Sequence, residues 1–382
     1  MPLDPFFAER LRRQKKYMIG QGLEGLKRRL GWPWFMRPAA EAAVKSAPAE
    51  EKTRAHAAAK AEAREDARSV ARHESSPDPH RPSRRRAEHR KIALSWDRTE
   101  QRKNGVPGPR VHTIDRIVQV PGQPDVLLRI YYPTTGERPA EPVPACVTFF
   151  GGAFRIGGLD FPTTDAANRR RAAEAGVAMV GVGYALAPEH KYPTQVLQGH
   201  AALEYVFAHA EELGIDPERV GIAGTSAGGN IAAAVALMNR DRGGLPLRLQ
   251  LLEVPVVDLT GRHIDFRASR ALGIPTILMA RELASVARTY LRHRRDAREP
   301  YASPIRAQSL EGMPPAVILT AEYDPLRGDG VAYAAALRQA GVDASAVQYL
   351  GATHDTGIFA RVLAVSRRWH GDVVAALRTL HD

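Results

Sequence analysis

A serine between a predicted strand and a predicted helix places the strongest constraint on how this chain can fold. Residues 224–228 read GTSAG and fit the pattern G-x-S-x-G, with Ser226 at the centre. The apolar run 219–223 predicts a short buried strand before the turn, and the alanine-rich run 230–238 predicts a helix after it. In that context the turn is tight and its serine points outward, as a nucleophile would. The alternative interpretation is a plain small-residue turn ahead of a helix.

A serine hydroxyl is a weak nucleophile, so it needs a neighbouring base and an acid that orients the base. His354 follows the strand-like run 347–350, in a loop where an imidazole can reach the serine. Asp324 directly follows the apolar run 316–323. The chain order Ser, Asp, His is the one this motif uses. We therefore predict Ser226 as nucleophile, Asp324 as orienting acid and His354 as base.

Asp258 is the second candidate for the acid, because it also follows an apolar run, at 249–257. Its alternative role is to cap a loop with its side chain, which aspartate does readily.

The negative charge that develops on a substrate oxygen needs backbone N–H groups aimed at it. The residue after the nucleophile, Ala227, should supply one of them. The glycine-rich turn 151–154 follows a predicted strand at 145–150 and is the second source. Small residues there let the backbone approach the oxygen closely.

Strand-like and helical runs alternate from Val177 onwards, which predicts a mostly parallel sheet with helices on both faces. The runs 113–120 and 126–132 predict an antiparallel pair ahead of it. We place a basic N-terminal extension and linker at 1–90, with the linker over 75–90, and the main domain at 91–382.

Four stretches together resemble the hormone-sensitive-lipase-like α/β-hydrolases, the esterases with a GDSAGG or GTSAGG elbow. The stretches are FGGAF at 150–154 (HGGGF in the family), YALAPEH at 184–190 (YRLAPEH), GTSAGGN at 224–230, and DPLRGDG at 324–330 (DPLRDEG). The resemblance runs from about residue 114 to the C-terminus. Phe150 replaces the family histidine, Ala153 replaces the third glycine, and Ala185 replaces an arginine.

The resemblance implies an α/β-hydrolase fold with a helical cap, and cleavage of small or medium acyl esters through an acyl-enzyme. It implies no metal and no organic cofactor. It assigns the catalytic roles to Ser226, Asp324 and His354. It also assigns the oxyanion-hole N–H groups to Gly152, Ala153 and Ala227, with Gly151 in the same loop.

The cap is expected at about 91–112 and at 262–298, where apolar side chains at helical spacing would line a pocket. Phe154 and Tyr184 are candidate walls of the same substrate pocket. Amide, lactone or carbamate bonds could be cleaved by the same residues. A ligand-binding protein without catalytic activity is the alternative from another functional class, and Phe150 is the residue that favours it.

All of the net charge of +12 lies in residues 1–110, which hold 26 Lys and Arg against 14 Asp and Glu. Residues 5–36 are basic and amphipathic, a pattern compatible with contact to an anionic membrane surface. Packing over the active site or on a partner chain is the alternative. A homo-oligomer is a separate prediction for the protein. Residues 39–74 predict a solvated helix or disorder. No nucleic-acid recognition motif accompanies the arginines, so we predict no specific nucleic-acid partner.

The single cysteine, Cys146, excludes an internal disulfide and favours a reducing compartment. Its position on a predicted strand indicates a small buried side chain. We expect a cytoplasmic protein, with peripheral membrane contact through residues 5–36 as the variant of that interpretation.

Overall fold

An eight-stranded sheet organises the part of the protein that the computed structural model describes, residues 3–12 and 82–382. Its strands are β1 (Thr113–Val118), β2 (Val126–Tyr131), β3 (Val143–Phe149), β4 (Ala178–Gly183), β5 (Ile215–Thr225), β6 (Leu247–Glu253), β7 (Ala316–Tyr323) and β8 (Ala344–Thr353). Their order across the sheet is β1-β2-β4-β3-β5-β6-β7-β8. β2 runs antiparallel to both β1 and β4, and the remaining pairs are parallel. The predicted sheet and its opening antiparallel pair are confirmed.

The helices lie between and around these strands. They are α1 (Arg84–Asn104), α2 (Pro162–Ala175), α3 (Thr194–Ala208), α4 (Ala210–Leu213), α5 (Ala227–Asp241), α6 (Phe266–Ala271), α7 (Thr276–Tyr290), α8 (Arg327–Gln339) and α9 (Ala364–Arg378). Short 3-10 turns occupy Arg294–Arg298, Pro304–Arg306, Thr356–Phe359 and Thr379–His381. α6 and α7 fall within the insertion 262–298, between β6 and β7.

Each face of the sheet carries its own hydrophobic core, because successive side chains of a strand point to opposite faces. Val147 of β3 belongs to the core shared with α3, α5 and α8, and the preceding Cys146 belongs to the core shared with α2 and α9. In α9, Trp369 and Val373 are buried against the second face. Fully burying a side chain of this size stabilises the fold by about 1.5–3 kcal/mol. The sheet is therefore covered on both sides, as predicted.

The parallel strands β3, β5, β7 and β8 end at the same edge of the sheet. The loops that carry the candidate residues leave from this edge, which is where open α/β sheets form their clefts. Ser226 follows β5, Asp324 follows β7 and His354 follows β8.

β5 begins four residues earlier than the sequence predicts. The pairing of its N-terminal part with β3 is irregular, because the register shifts between Val143 and Ala145 of β3. Residues 217 and 218 are exposed there. The apolar signal in the sequence starts only where the strand becomes buried, at Val220.

The prediction of a linker over residues 75–90 is wrong for residues 84–90, which form the first turns of α1. The Ser83 hydroxyl accepts the N–H of Arg86 at 3.4 Å, as a helix N-cap does. Ion pairs of Arg86 and Arg90 with Glu189 then hold the helix against the rest of the domain. Sequence periodicity could not show this helix, because its buried positions are polar.

Residues 5–12 are helical. The remaining residues of the basic segment 5–36, the segment 39–74 and residues 75–81 lie outside the described part of the chain. None of the helices described over 3–12 and 82–382 is both long and apolar enough to cross a membrane.

Candidate active site

Ser226 occupies the turn between β5 and α5 in a backbone conformation with φ 57° and ψ −118°. Such a conformation costs a non-glycine residue about 1–3 kcal/mol. The Ser226 N–H donates to the Glu253 carbonyl at 2.8 Å, which ties the turn to β6. A Cβ on Gly224 would lie 2.2 Å from the Gly228 oxygen, and one on Gly228 would lie 2.1 Å from the Phe149 oxygen. Both positions therefore require glycine.

The structure brings Ser226, His354 and Asp324 into one hydrogen-bonded row. His354 Nε2 lies 2.9 Å from Ser226 Oγ, and its Nδ1 lies 2.7 Å from Asp324 Oδ2. With a neutral imidazole, Nδ1–H donates to the carboxylate and Nε2 accepts from the hydroxyl. Asp324 is 1% exposed, and its Oδ1 accepts the Leu326 N–H at 2.9 Å. A histidine so placed can take a serine proton while a buried acid holds its ring.

Opposing effects act on the pKa of His354. Burial lowers it, whereas the charge of Asp324, the hydrogen bond to Asp324 and the charge of Asp355 raise it. The effects that raise it prevail, and the pKa of His354 rises from 6.5 to about 9. The imidazolium form is thus stabilised next to Ser226.

Asp258 does not contact His354. Its Oδ1 accepts the N–H of Thr260 at 2.9 Å and the Thr260 hydroxyl at 2.6 Å, and its Oδ2 lies 3.5 Å from Arg306 Nη1. This is the loop-capping role that the sequence left open for Asp258.

The glycine-rich loop after β3 is folded by a tight turn. The N–H groups of Arg155 and Ile156 both donate to the Gly152 carbonyl, at 3.0 and 3.1 Å. The N–H groups of Gly152 and Ala153 therefore take no part in closing this turn. Ala153 has a φ of 53°, so the loop is strained next to Ser226. Gly151 lies against the turn that bears Ser226, because a Cβ on it would be 3.1 Å from the Thr225 carbonyl oxygen.

Aromatic rings hold both ends of this loop. The Phe150 ring stacks on Tyr184 with centroids 4.1 Å apart, and the Tyr184 hydroxyl donates to the Phe150 carbonyl at 2.7 Å. The Phe154 ring stacks on Tyr290 of α7 with centroids 3.7 Å apart. Phe150 thus packs at the position where the family has a histidine.

A cavity of about 430 Å³ opens at Ser226 and His354. Its walls come from the glycine-rich loop, from α1 through Trp96 and from α2 through Thr163 and Arg171. Glu253 and Trp369 line it as well. Within the described residues, the cavity at Ser226 is therefore bounded in part by α1 and α2.

Neither Phe154 nor Tyr184 lines this cavity, and their role as walls of a substrate pocket stays a prediction. Phe154 has a φ of 61°, and its ring is fully buried against Tyr290. The insertion 262–298 contributes no lining residue either. It contacts the glycine-rich loop instead, through Tyr290 and through an ion pair of 2.5 Å between Glu282 and Arg155.

Sequence reasoning missed a buried polar cluster beside the serine. Glu253, 3% exposed, accepts from Arg171 at 2.7 Å and from Trp369 Nε1 at 2.7 Å. It also accepts from the Thr225 hydroxyl at 3.1 Å, one residue before Ser226. The only sequence signal was a carboxylate inside the apolar run 249–257.

A second missed residue is Asp329, at the start of α8. Its Oδ2 accepts the N–H groups of Val257 and Asp258 at 2.8 and 3.0 Å, and it is fully buried. It therefore joins the loop after β6 to the helix that follows Asp324.

Within 3–12 and 82–382, no three His, Cys, Asp or Glu side chains lie close enough together to hold a metal ion. The hydrogen-bonded row of Ser226, His354 and Asp324 lies beside the strained glycine-rich loop. Residues 146–357, more than half of the sequence, match the alpha/beta hydrolase fold family. The chain belongs to the α/β-hydrolase family.

Curated relatives agree with this assignment. Carboxylesterase NlhH of Mycobacterium tuberculosis is 36% identical over 280 residues, which cover 72% of this chain and 84% of the relative. Ethyl acetate hydrolase of Pseudomonas putida is 34% identical over 229 residues, 60% of this chain and 70% of the relative. Among solved structures, the hyperthermophilic esterase of the archaeon Pyrobaculum calidifontis is similar, with a TM-score of 0.69 and 33% identity over 79% of this chain and 93% of its own.

These findings confirm that this α/β-hydrolase resembles the hormone-sensitive-lipase-like esterases and that it is an enzyme of the serine hydrolase class.

Proposed function

We propose that this α/β-hydrolase cleaves carboxylic esters of small or medium acyl groups, with Ser226, His354 and Asp324 as its catalytic triad. The observation that carries the proposal is the hydrogen-bonded row of the three side chains, of which Ser226 and His354 line a cavity of about 430 Å³. Names such as carboxylesterase and ethyl acetate hydrolase among its relatives support the ester as the bond that is cleaved.

In the proposed reaction, His354 Nε2 takes the Ser226 proton as Oγ attacks the ester carbonyl carbon. The carbonyl oxygen becomes negatively charged and is stabilised by the N–H groups of Gly152, Ala153 and Ala227. His354 then gives its proton to the leaving alcohol oxygen, and the C–O bond breaks to leave an acyl-enzyme. Asp324 stays ionised and stabilises the imidazolium throughout.

The second half of the reaction repeats these roles with water. His354 takes a proton from the water, and the resulting oxygen attacks the acyl carbon. Collapse of the second tetrahedral intermediate returns the proton to Ser226 Oγ and releases the carboxylic acid. Every proton moves through His354, so no metal or organic cofactor enters the proposed scheme.

Hydrolysis of p-nitrophenyl esters from acetate to decanoate tests the proposal. Wild type should hydrolyse the shorter members, and Ser226→Ala should lower kcat by about 10⁴- to 10⁶-fold because the nucleophile is lost. Ser95→Ala makes the same change on the exposed face of α1 and should keep full activity.

A folded wild type that hydrolyses none of these esters would contradict the proposal and favour the ligand-binding alternative. Amide, lactone or carbamate substrates separate the related bond types, since the same triad could act on each. Membrane contact through residues 5–36 and self-association stay predictions. Sedimentation with anionic vesicles and analytical ultracentrifugation check them.

A further inference from the structure

A single arginine of α1 reaches from outside the family-matching region to the glycine-rich loop. Arg90 Nε donates to the Arg155 carbonyl at 2.9 Å, and its Nη2 donates to the Ala187 carbonyl at 3.1 Å. The same Nη2 donates to Glu189 Oε2 at 2.5 Å. One guanidinium thus joins α1 to two loops that follow β3 and β4.

The Arg155 carbonyl belongs to the turn that shapes the proposed oxyanion hole. The N–H of Arg155 donates to the Gly152 carbonyl, so the peptide groups of 152–155 form one hydrogen-bonded unit. The Ala187 N–H donates to the Phe154 carbonyl at 2.8 Å. Arg90 therefore binds the carbonyl of one partner of this contact, Ala187, and the carbonyl of Arg155, the residue that follows the other partner.

The loop needs outside support because its backbone is strained. Ala153 and Phe154 have φ values of 53° and 61°. Such conformations persist only when surrounding contacts hold them. The planar guanidinium can satisfy three acceptors at fixed angles, which a lysine ammonium on a flexible stem cannot reproduce.

Glu189 makes the contact rigid. Its side chain is 3% exposed, and it is paired on one side with Arg90 and on the other with Arg86 Nε at 2.6 Å. Burial raises the pKa of Glu189, but the hydrogen bonds from Arg90 and Arg86 outweigh burial and lower it overall. The carboxylate is therefore a fixed anion that orients the Arg90 guanidinium toward the loop.

We infer that Arg90 is a positioning residue that holds the Gly152 and Ala153 N–H groups in place for the oxyanion. The inference rests on the proposed function. It makes α1, which precedes the family-matching region, a working part of the active site. Arg86 supplies a matched comparison, because it lies one turn earlier on the same helix and binds the same carboxylate without contacting the glycine-rich loop.

The test compares Arg90→Met with Arg86→Met in the full-length enzyme. Arg90→Met should lower kcat for p-nitrophenyl butanoate by about 10- to 100-fold with KM within about 3-fold, because misplaced donors weaken transition-state binding only. Arg86→Met should leave kcat within about 3-fold. The Ki of an alkylboronic acid, which forms a tetrahedral adduct on serine, should rise for Arg90→Met alone.

Arg90→Lys covers the case in which Arg90→Met fails to fold, since it keeps a positive charge beside Glu189 but cannot serve three acceptors. The kcat of Arg90→Lys should fall, whereas its melting temperature should stay near that of wild type. Equal losses for the Arg90 and Arg86 variants, or a change in KM alone, would overturn the inference. Wild type without Ser226-dependent hydrolysis would instead contradict the proposed function.

Discussion

The ring of Phe150 lies nearly parallel to that of Tyr184, with 12° between their planes, and the Tyr184 hydroxyl donates to the Phe150 carbonyl. Complete burial raises the pKa of Tyr184, so its hydroxyl stays a donor at any physiological pH. Stack and hydrogen bond together fix the first residue of the glycine-rich loop. Phe150 and Tyr184 therefore anchor the start of the glycine-rich loop, where the family has a histidine at position 150.

We predict that Tyr184→Phe keeps the stack but loses the hydrogen bond. Because the Phe150 carbonyl is then left unsatisfied, the free energy of unfolding should fall by about 1–3 kcal/mol. Urea denaturation measures it. Tyr333→Phe is the matched control, since the buried Tyr333 hydroxyl has no hydrogen-bond partner among the described residues. Equal losses in the two variants would contradict the role of the hydroxyl.

The pKa of about 9 for His354 predicts the pH dependence of the reaction. Only the neutral imidazole can take the Ser226 proton, so kcat/KM should rise tenfold per pH unit below pH 9 and level off above it. Asp324→Asn removes the charge that raises the pKa, so the midpoint should move to lower pH while the maximal rate falls by about 10⁴-fold. Initial rates between pH 5 and 10 measure both effects.

The same shift has a consequence for stability. The folded-state pKa of His354 exceeds the unfolded value, so its contribution to stability is complete below pH 6.5 and disappears as the pH rises through 9. His354→Gln should lack this pH dependence of stability, and His89→Gln, on the exposed face of α1, should retain it.

The predicted pH dependence of the rate has its own contradicting outcome. A pH–rate profile of wild type that is flat from pH 6 to 10 would refute the assignment of His354 as the base.

The buried pair of Glu253 and Arg171 predicts a large loss of stability on removal of one charge. Glu253→Gln would leave the mostly buried Arg171 guanidinium without its carboxylate partner, which costs about 3 kcal/mol or more. Asp160→Asn breaks an ion pair with Arg129 in which the Asp160 side chain is 83% exposed, so its effect should stay below about 1 kcal/mol.

Urea unfolding of both variants gives the comparison. The double variant Glu253→Gln with Arg171→Met should recover part of the loss, because it removes both charges. A Glu253→Gln variant as stable as Asp160→Asn would contradict the ion pair.

Replacement of the Asp329 carboxylate is predicted to raise stability, whereas Glu253→Gln lowers it. Burial raises its pKa to about 7 despite the two backbone N–H donors, and the charges of Asp258 and Asp324 add to the rise. The folded-state pKa lies above the unfolded value of about 4, so stability is lost as the pH rises from 4 through 7. Asp329→Asn keeps an acceptor for both N–H groups and should be about 1–3 kcal/mol more stable than wild type at pH 8.

At pH 4 the Asp329→Asn variant and wild type should unfold at the same urea concentration. Asp343→Asn, on the surface, should change neither value. Lower stability of Asp329→Asn at pH 8 would show that the folded-state pKa of Asp329 does not lie above its unfolded value.

The sequence predicted the row of Ser226, Asp324 and His354 because strand ends of a parallel sheet meet at one edge. Local patterns are sufficient there. The network around Arg90 could not be predicted. Arg90 and Glu189 lie 99 residues apart, and neither residue belongs to a periodic apolar pattern that would place it in the fold. The burial of the Phe154 ring against Tyr290 could not be predicted for a different reason: a glycine-rich motif does not reveal which of its residues has a positive φ.

Cys146 has complete burial on the central strand β3, and burial raises its thiol pKa to about 12. As the only sulfhydryl of the chain, it can react with an alkylating reagent only after the sheet opens. The rate of alkylation thus counts opening events of the sheet centre directly, with no label to introduce. The alkylation rate of the native Cys146 is therefore a measure of how often the centre of the sheet opens.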